Sequence, residues 1–357
     1  MGLTLEEAGG WPAVLGSLTS RESLTSETAA AAFESVLSGE ATPAQVAAFA
    51  SALRTKGETV EEMRAFVSVM RARSELVAVE GEIVDTCGTG GDKSGSINVS
   101  TMAALVVAAA GARVCKHGGR ASSSLAGSAD VFEELGVWVD LGPLGVARCI
   151  EQAGIGFCLA PRFHPAMRHV APVRKELGVP TVFNFLGPLA NPAGATRQLI
   201  GVGDVTMAEK MLAVLDANGA RHAMVVHGED GLDELSIGGS TAVLELKRDD
   251  ATGEGLIARY ELDATDFGIG HASLSELRGG DPARNASLVR AVLKGENGPH
   301  RDFVVWNSAA ALVVAGKAAE MAEGISLASS LLDSGEVARV LDRLVTVSIE
   351  AAALGLS

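Results

Sequence analysis

An α/β fold is predicted for this 357-residue chain: a small N-terminal helical domain, then a larger α/β domain with a central, mainly parallel sheet flanked by helices. Three observations carry the prediction. Residues 1–78 hold helix start and stop signals and no convincing strand. From Gly81 short buried-strand patterns alternate with Ala-rich helical stretches, the grammar of a sheet covered on both faces. From Arg284 onward the pattern is helical again. The expected division is 1–78 for the helical domain, joined by a later helical segment near 165–190, and 79–357 for the α/β domain.

The elements follow in order. Thr28–Leu37 reads as a helix, and Thr42-Pro43-Ala44-Gln45 as a capping box with Pro at the first helical position. Val46, Phe49, Ala50 and Leu53 then mark one apolar face before a stop at Gly57. Thr59-Val60-Glu61-Glu62 repeats the device ahead of Met63, Phe66, Val67 and Met70. Such faces suit a bundle core or a subunit interface. Glu82–Thr86, Ala112–Lys116, Ile155–Ala160, Gln198–Val202 and Ala223–His227 read as buried strands, and Phe303–Met321 as a long helical stretch. Ligands in such sheets sit at strand carboxyl ends, in the loops that lead to helices.

Composition removes several function classes. With 29 Lys+Arg against 44 Asp+Glu the net charge is −15, which argues against a sequence-blind nucleic-acid binder and leaves room for a local basic pocket. The start, MGLTLEEAGGWPAVLGSL, lacks the basic n-region of a signal peptide. The longest apolar runs, Met102–Ala112 and Ser308–Gly316, fall short of a bilayer span. The expectation is a soluble, cytoplasmic protein without membrane or nucleic-acid partners. Cys87, Cys115, Cys149 and Cys158 form no C-x-x-C pair, so reduced, buried thiols are expected rather than a zinc site or disulfides.

Chemistry concentrates in four loops. The first strand runs into Gly88-Thr89-Gly90-Gly91-Asp92-Lys93 and reaches Asn98-Val99-Ser100-Thr101 at the head of an Ala-rich helix. Glycines let backbone N–H groups approach an anion, Asn98 reads as an N-cap, and the helix N-terminus adds positive potential. The same glycines also suit a plain tight turn. The next strand ends at Lys116-His117-Gly118-Gly119-Arg120, followed by Ala121-Ser122-Ser123-Ser124 and Gly127-Ser128, two cations and several hydroxyls suited to a second anionic group or to a solvated basic loop. Asp233-Glu234, past the strand Ala223–His227, suits Mg²⁺, which one or two carboxylates plus substrate phosphates usually hold; an acidic pair in a loop is also what solvation alone accepts. Between Ala160 and Arg174, Phe163, His164, His169 and Arg174 could bind an aromatic acid through apolar contact and an Arg–carboxylate fork, and the two histidines equally fit structural roles.

Taken together, GTGGD at 88–92, NVST at 98–101, KHGGR at 116–120, FHPAMRHVAPVR ending at Arg174, FNFLGPLANPA at 183–193, HGEDGLDELS at 227–236 and GPHRDFVVWNSAAAL at 298–312 resemble the anthranilate phosphoribosyltransferases, from about residue 20 onward. The resemblance implies a fold like that of nucleoside phosphorylases, with the site at the hinge of the two domains, and a homodimer through the helical domain. It implies Mg²⁺-dependent transfer of the phosphoribosyl group from 5-phosphoribosyl 1-diphosphate to the anthranilate amine.

By position, Gly88, Gly91, Asp92, Ser96, Asn98, Val99, Ser100, Thr101, Lys116, His117, Gly118, Gly119, Arg120, Ala121, Ser122, Ser123, Ser124 and Ser128 would hold the phosphoribosyl diphosphate. Ser100, Asp233 and Glu234 would serve Mg²⁺. Gly88, Gly119, His164 and Arg174 would hold anthranilate, with Lys116 and Arg174 carrying the catalytic roles. Two positions depart from the family pattern: Ser96 replaces Thr and keeps the hydroxyl, and Gly119 replaces an Asn whose amide contacts anthranilate. The competing readings are a pyrimidine-nucleoside-phosphorylase-like transferase, transfer to a different aromatic acceptor because of Gly119, and a non-catalytic nucleic-acid-binding relative. The Asp233-Glu234 pair and FNFLGPLANPA argue against the first, and the −15 charge against the last.

Overall fold

A computed structural model describes residues 3–92, 94–121, 125–249 and 251–357. The chain opens with α1 (Gly10–Thr19), α2 (Ser26–Ser38), α3 (Pro43–Lys56) and α4 (Val60–Ala72). Both expected capping boxes form: the Thr42 and Thr59 hydroxyls accept from the backbone of Gln45 and Glu62, whose side chains reach back to the cap N–H groups. Then come β1 (Ile83–Gly88), α5 (Val99–Ala109), β2 (Arg113–Gly118), α6 (Ser128–Glu134), α7 (Pro143–Ala153) and β3 (Ile155–Leu159). Next are α8 (Ala160–Phe163), α9 (Ala171–Leu177), α10 (Phe183–Leu189), β4 (Arg197–Gly201), α11 (Ala208–Ala217) and β5 (His222–Gly228). The chain ends with β6 (Thr241–Arg248), β7 (Gly255–Leu262), α12 (Pro282–Leu293), α13 (Pro299–Val314), α14 (Met321–Asp333) and α15 (Glu336–Ala353).

Among the described residues the seven strands form one sheet in the order β3-β2-β1-β4-β5-β6-β7. β3 through β5 pair in parallel, whereas β5–β6 and β6–β7 are antiparallel. The five strands read from the sequence are all present, with ends shifted by a residue or two. β6 and β7 were not anticipated. β7 is the largely exposed edge strand, and β6 beside it alternates buried Thr241, Val243 and Leu246 with polar and partly exposed positions, so neither shows the continuous apolar run of a buried parallel strand.

Side chains alternate across the sheet. Leu199, Met224 and Val226 join a core with α5 and α12–α15, while Ile200, Val202, Ala223 and Val225 face a second core with α1–α4, α10 and α11. Val173, Val182, Phe183 and Leu186 pack into that second core, beside Phe33 and Phe66 of the N-terminal helices. α13 is apolar around nearly its whole circumference because it is sandwiched, and α14 crosses it at Gly324, where a Cβ would lie 2.7 Å from the Ala309 carbonyl oxygen. The stretch Phe303–Met321 is therefore not one helix: α13 ends before Gly316, whose φ of +68° takes the left-handed conformation, and α14 starts at Met321. No described helix is long and apolar enough to cross a membrane.

The strand order matters for chemistry. β1 leads outward to β2 and β3 on one side, while β4 lies against its other side. The connections diverge there, opening a crevice beyond the carboxyl ends of β1 and β4.

Candidate active site

The crevice is lined by the loop after β1 and by the Asp233-Glu234 turn after β5. Thr89 N–H donates to Gly201 O at 2.9 Å, Gly203 N–H to the Thr89 hydroxyl at 3.2 Å, and Gly90 N–H to Asp233 Oδ2 at 2.6 Å. Gly90 and Gly91 have φ of +70° and +88°, a turn that residues with a Cβ resist. Asp233 is wedged between two strand ends: a Cβ on Gly88 would overlap its carboxylate, and one on Gly201 its carbonyl oxygen.

Burial and mutual repulsion mark this acidic group. Burial, then the charge of Asp92, pushes Asp233 up to about 7, against the Gly90 hydrogen bond. Burial and the Asp233 charge drive Glu234 well above the carboxylate range, against the pull of Lys116. Among the described residues Glu234 has no side-chain hydrogen bond, and no three His, Cys, Asp or Glu side chains converge on one point. Two hard carboxylates that leave most coordination positions to other oxygens match what Mg²⁺ takes when it binds on phosphates.

At the end of β2, Lys116 is buried and its Nζ donates to Thr86 O at 2.6 Å, with the Ser100 hydroxyl at 3.4 Å. Thr86 in turn donates to Ser100 O at 2.8 Å. The buried Asp85 carboxylate accepts from His117 N–H at 3.1 Å and from the Asn191 amide at 2.7 Å, and Asn191 also donates to Cys115 O. The FNFLGPLANPA segment is thus bolted to the strand that presents Lys116 and His117.

The His117 and His164 rings lie 4.9 Å apart. His117 Nδ1–H donates to Gly187 O at 3.2 Å. His164 Nδ1–H donates to Ser74 Oγ at 2.7 Å, since that hydroxyl itself donates to Met70 O. Both Nε2 atoms are buried without a partner among the described residues. Burial, aided at His117 by the charge of protonated His164, lowers His117 to about 3, and burial lowers His164 to about 4. Between pH 4 and 6.5 the unfolded chain therefore binds protons that folded His164 refuses, so this residue costs stability as pH falls through that window. The stability of the native protein relative to His164→Gln is expected to decline as pH drops from 6.5 to 4, measured by parallel thermal melts; a pH-independent difference contradicts the buried neutral imidazole.

The remaining site residues divide. Asn98 heads α5 without capping it: its amide donates to Ala126 O at 3.1 Å and its oxygen accepts from Asn285 at 2.9 Å, a tertiary link that replaces the expected cap. Val99, Ser100 and Thr101 form the first turn of α5, and the Thr101 hydroxyl donates to Ser128 Oγ at 3.0 Å. Ser96 bridges to Arg278, with its hydroxyl 3.1 Å from that of Ser94, whose own proton goes to Asp92. Gly118 packs on Phe157 and Ser128, and Gly119 borders open space.

Arg120 is paired with Glu133 and Asp130, and Ala121 N–H donates to Asp130, so a phosphate must compete for both. Lys93, Ser122, Ser123 and Ser124 lie outside the described residues. Arg174 stands half-buried on α9, and its guanidinium makes no hydrogen bond or ion pair among the described residues. No hydrogen bond or ion pair among the described residues joins Arg174 to Gly88 or Gly119, or Ser100 to Asp233. Sequence reasoning missed Asp85, Asn191 and Gly201; the first two were visible only as polar residues inside apolar runs, and Gly201 as an ordinary strand end.

Residues 80–338 match the α/β-domain model of a glycosyl transferase family, and residues 12–74 match its helical-bundle domain. The anthranilate phosphoribosyltransferase of Roseiflexus castenholzii is 52% identical over 91% of this chain and 94% of its own. The crystal structure of the Thermus thermophilus enzyme of that name superposes with a TM-score of 0.87 at 42% identity, covering 94% of this chain and 99% of that one. The Saccharomyces cerevisiae enzyme in complex with PRPP and Mg gives 0.86 at 29% identity, covering 95% and 98%.

Proposed function

The chain belongs to the anthranilate phosphoribosyltransferase family, and from that premise we propose how its own residues divide the reaction. The enzyme transfers the 5-phosphoribosyl group of 5-phosphoribosyl 1-diphosphate (PRPP) to the anthranilate amine and releases diphosphate, a step of tryptophan biosynthesis. One observation carries the residue assignment: Asp233 is wedged against the Gly88–Asp92 loop at the crevice between β1 and β4, with buried Lys116 on the neighbouring strand.

PRPP lies across the loop Gly88–Asp92, the segment Ser96–Thr101 and the run from Lys116 to Ser124 with Ser128. Backbone N–H groups at the head of α5 and the Lys116 ammonium meet its phosphate oxygens. Asp233 and Glu234, with the Ser100 hydroxyl, would hold Mg²⁺, which when bound neutralises charge on the departing diphosphate. The Arg174 fork takes the anthranilate carboxylate. The bare Nε2 atoms of His117 and His164 accept hydrogen bonds from the anthranilate amine and aim it at the ribosyl carbon. Imidazoles with pKa values of about 3 and 4 are poor proton acceptors at neutral pH, so they orient an amine that is already nucleophilic.

Gly119 gives a direct check on the acceptor side. Its backbone is not left-handed and a Cβ there meets nothing within 4 Å, so Gly119→Asn folds without strain. A restored polar contact is worth about 0.5–1.5 kcal/mol, so the anthranilate KM should fall about 2–10-fold with kcat within twofold; an unchanged or raised KM contradicts the placement of anthranilate beside residue 119. The reaction itself is tested by phosphorus NMR of protein, PRPP, Mg²⁺ and anthranilate: stoichiometric diphosphate release is expected, whereas its absence, with phosphorolysis in a parallel mixture of uridine or thymidine and inorganic phosphate, contradicts it.

Three further assignments complete the proposal. The helical domain comprises 1–78 with the segment near 165–190, and 79–357 forms the catalytic domain. Two copies pair through the helical domain, which sedimentation at varied concentration tests. The four buried free thiols favour a reducing compartment, the cytoplasm.

A further inference from the structure

We propose that Asn307, on α13, is the positioning residue of the Asp233-Glu234 pair, a role that rests on the assignment of that pair to metal. Asn307 is 1% exposed, and its amide pairs with both backbone groups of one residue: Leu235 N–H donates to Asn307 Oδ1 at 2.9 Å, and Asn307 Nδ2 donates to Leu235 O at 2.9 Å. A third bond, Nδ2 to Phe303 O at 3.0 Å, fixes the amide on its own helix. Leu235 directly follows Glu234, so the grip sets the chain direction immediately after the two carboxylates.

The other side of the turn is seated just as tightly. Gly88 and Gly201 leave room for Asp233 that any Cβ would fill, and Gly90 N–H holds its Oδ2. Asp230 accepts from Ser236 at 2.7 Å, and Ser236 N–H donates to Thr241 at 2.9 Å, bracing the turn internally. Of these contacts only the Asn307 pair reaches from the helical layer into the backbone of the carboxylate turn. Buried groups that repel each other need such an external brace to stay aimed at a common ion, since partners that orient metal ligands set metal affinity. The asparagine of GPHRDFVVWNSAAAL is thereby explained.

The test compares Asn307→Ser with Val304→Ala, a buried apolar truncation on the same helix. Mn²⁺ with saturating PRPP, followed by loss of the free electron-paramagnetic-resonance signal beyond that taken by PRPP without protein, should bind Asn307→Ser about 10–100-fold more weakly than the native protein. The Mg²⁺ concentration for half-maximal activity should rise in parallel, with the anthranilate KM within twofold, and Val304→Ala should keep native Mn²⁺ affinity. Equal affinity in the Asn307 variant, or an equal loss in Val304→Ala, overturns the proposal. Absence of Mn²⁺ binding to the native protein overturns the metal assignment itself and this role with it. Hydrogen exchange of the native protein tests the grip without any variant: the Leu235 amide should be as protected as amides of β5, and loop-like exchange overturns the proposal.

Discussion

Asp233→Asn combined with Glu234→Gln is expected to lower kcat/KM by about 10²–10³-fold while leaving the fold intact and the metal-free protein more heat-stable than the native enzyme. The two effects share one cause. Burial raises both carboxylates above their unfolded pKa values. Between the ordinary carboxylate range and about 7 the folded Asp233 keeps a proton that the unfolded chain has released, so stability is lost as pH rises through that window and the penalty is present at neutral pH and above; neutral isosteres remove it. The amide oxygen introduced at position 233 can still accept from Gly90 N–H, so the loop keeps its seat. The pair is thus held in place at the expense of stability, as expected of groups retained for function. Steady-state kinetics at varied Mg²⁺ and thermal melts with and without Mg²⁺ check both halves; undiminished activity together with a lower melting temperature contradicts the account.

Lys116→Met should cost a similar factor, about 10²–10³ in kcat, with the anthranilate KM changed less than about threefold. The methionine fills most of the volume of a side chain that is 1% exposed, so packing survives. What disappears is the ammonium held at 2.6 Å from Thr86 O and at 3.4 Å from Ser100, which offsets the charges of Asp85 and Glu234 and which, in the proposed reaction, meets the charge developing on diphosphate. An interaction made chiefly in the transition state lowers kcat and leaves acceptor binding alone. A variant whose only defect is a raised anthranilate KM would place Lys116 on the acceptor side and contradict its assignment.

How much of this was legible in the sequence depended on whether the signal was local. The capping boxes at Thr42 and Thr59 are complete within four residues and formed as read. The glycine loops were legible because their chemistry is carried by backbone, and glycine announces backbone directly. β6 and β7 were not legible, because an edge hairpin with Glu245, Lys247, Arg259 and Glu261 carries no buried-strand run. Asn98 misled for a tertiary reason: its side chain has the capping chemistry, but Asn285, far away in the chain, claims its oxygen. Gly201 and Asn307 were hidden for the same reason, since what they touch is the Asp233–Leu235 turn, brought to them only by the closing of the sheet and the packing of α13. Arg120 was legible as a cation and not as a paired one; Glu133 and Asp130 lie on the next helix.

In the proposed reaction the crevice beyond β1 and β4 joins PRPP to the anthranilate amine with help from a metal held by Asp233 and Glu234. The most direct measurement follows anthranilate fluorescence in purified protein with PRPP, first with Mg²⁺ and then with Mg²⁺ chelated. The account predicts rapid loss of fluorescence that requires both PRPP and Mg²⁺ and stops on chelation. Fluorescence that persists with all components present, or that disappears equally fast without divalent metal, contradicts it.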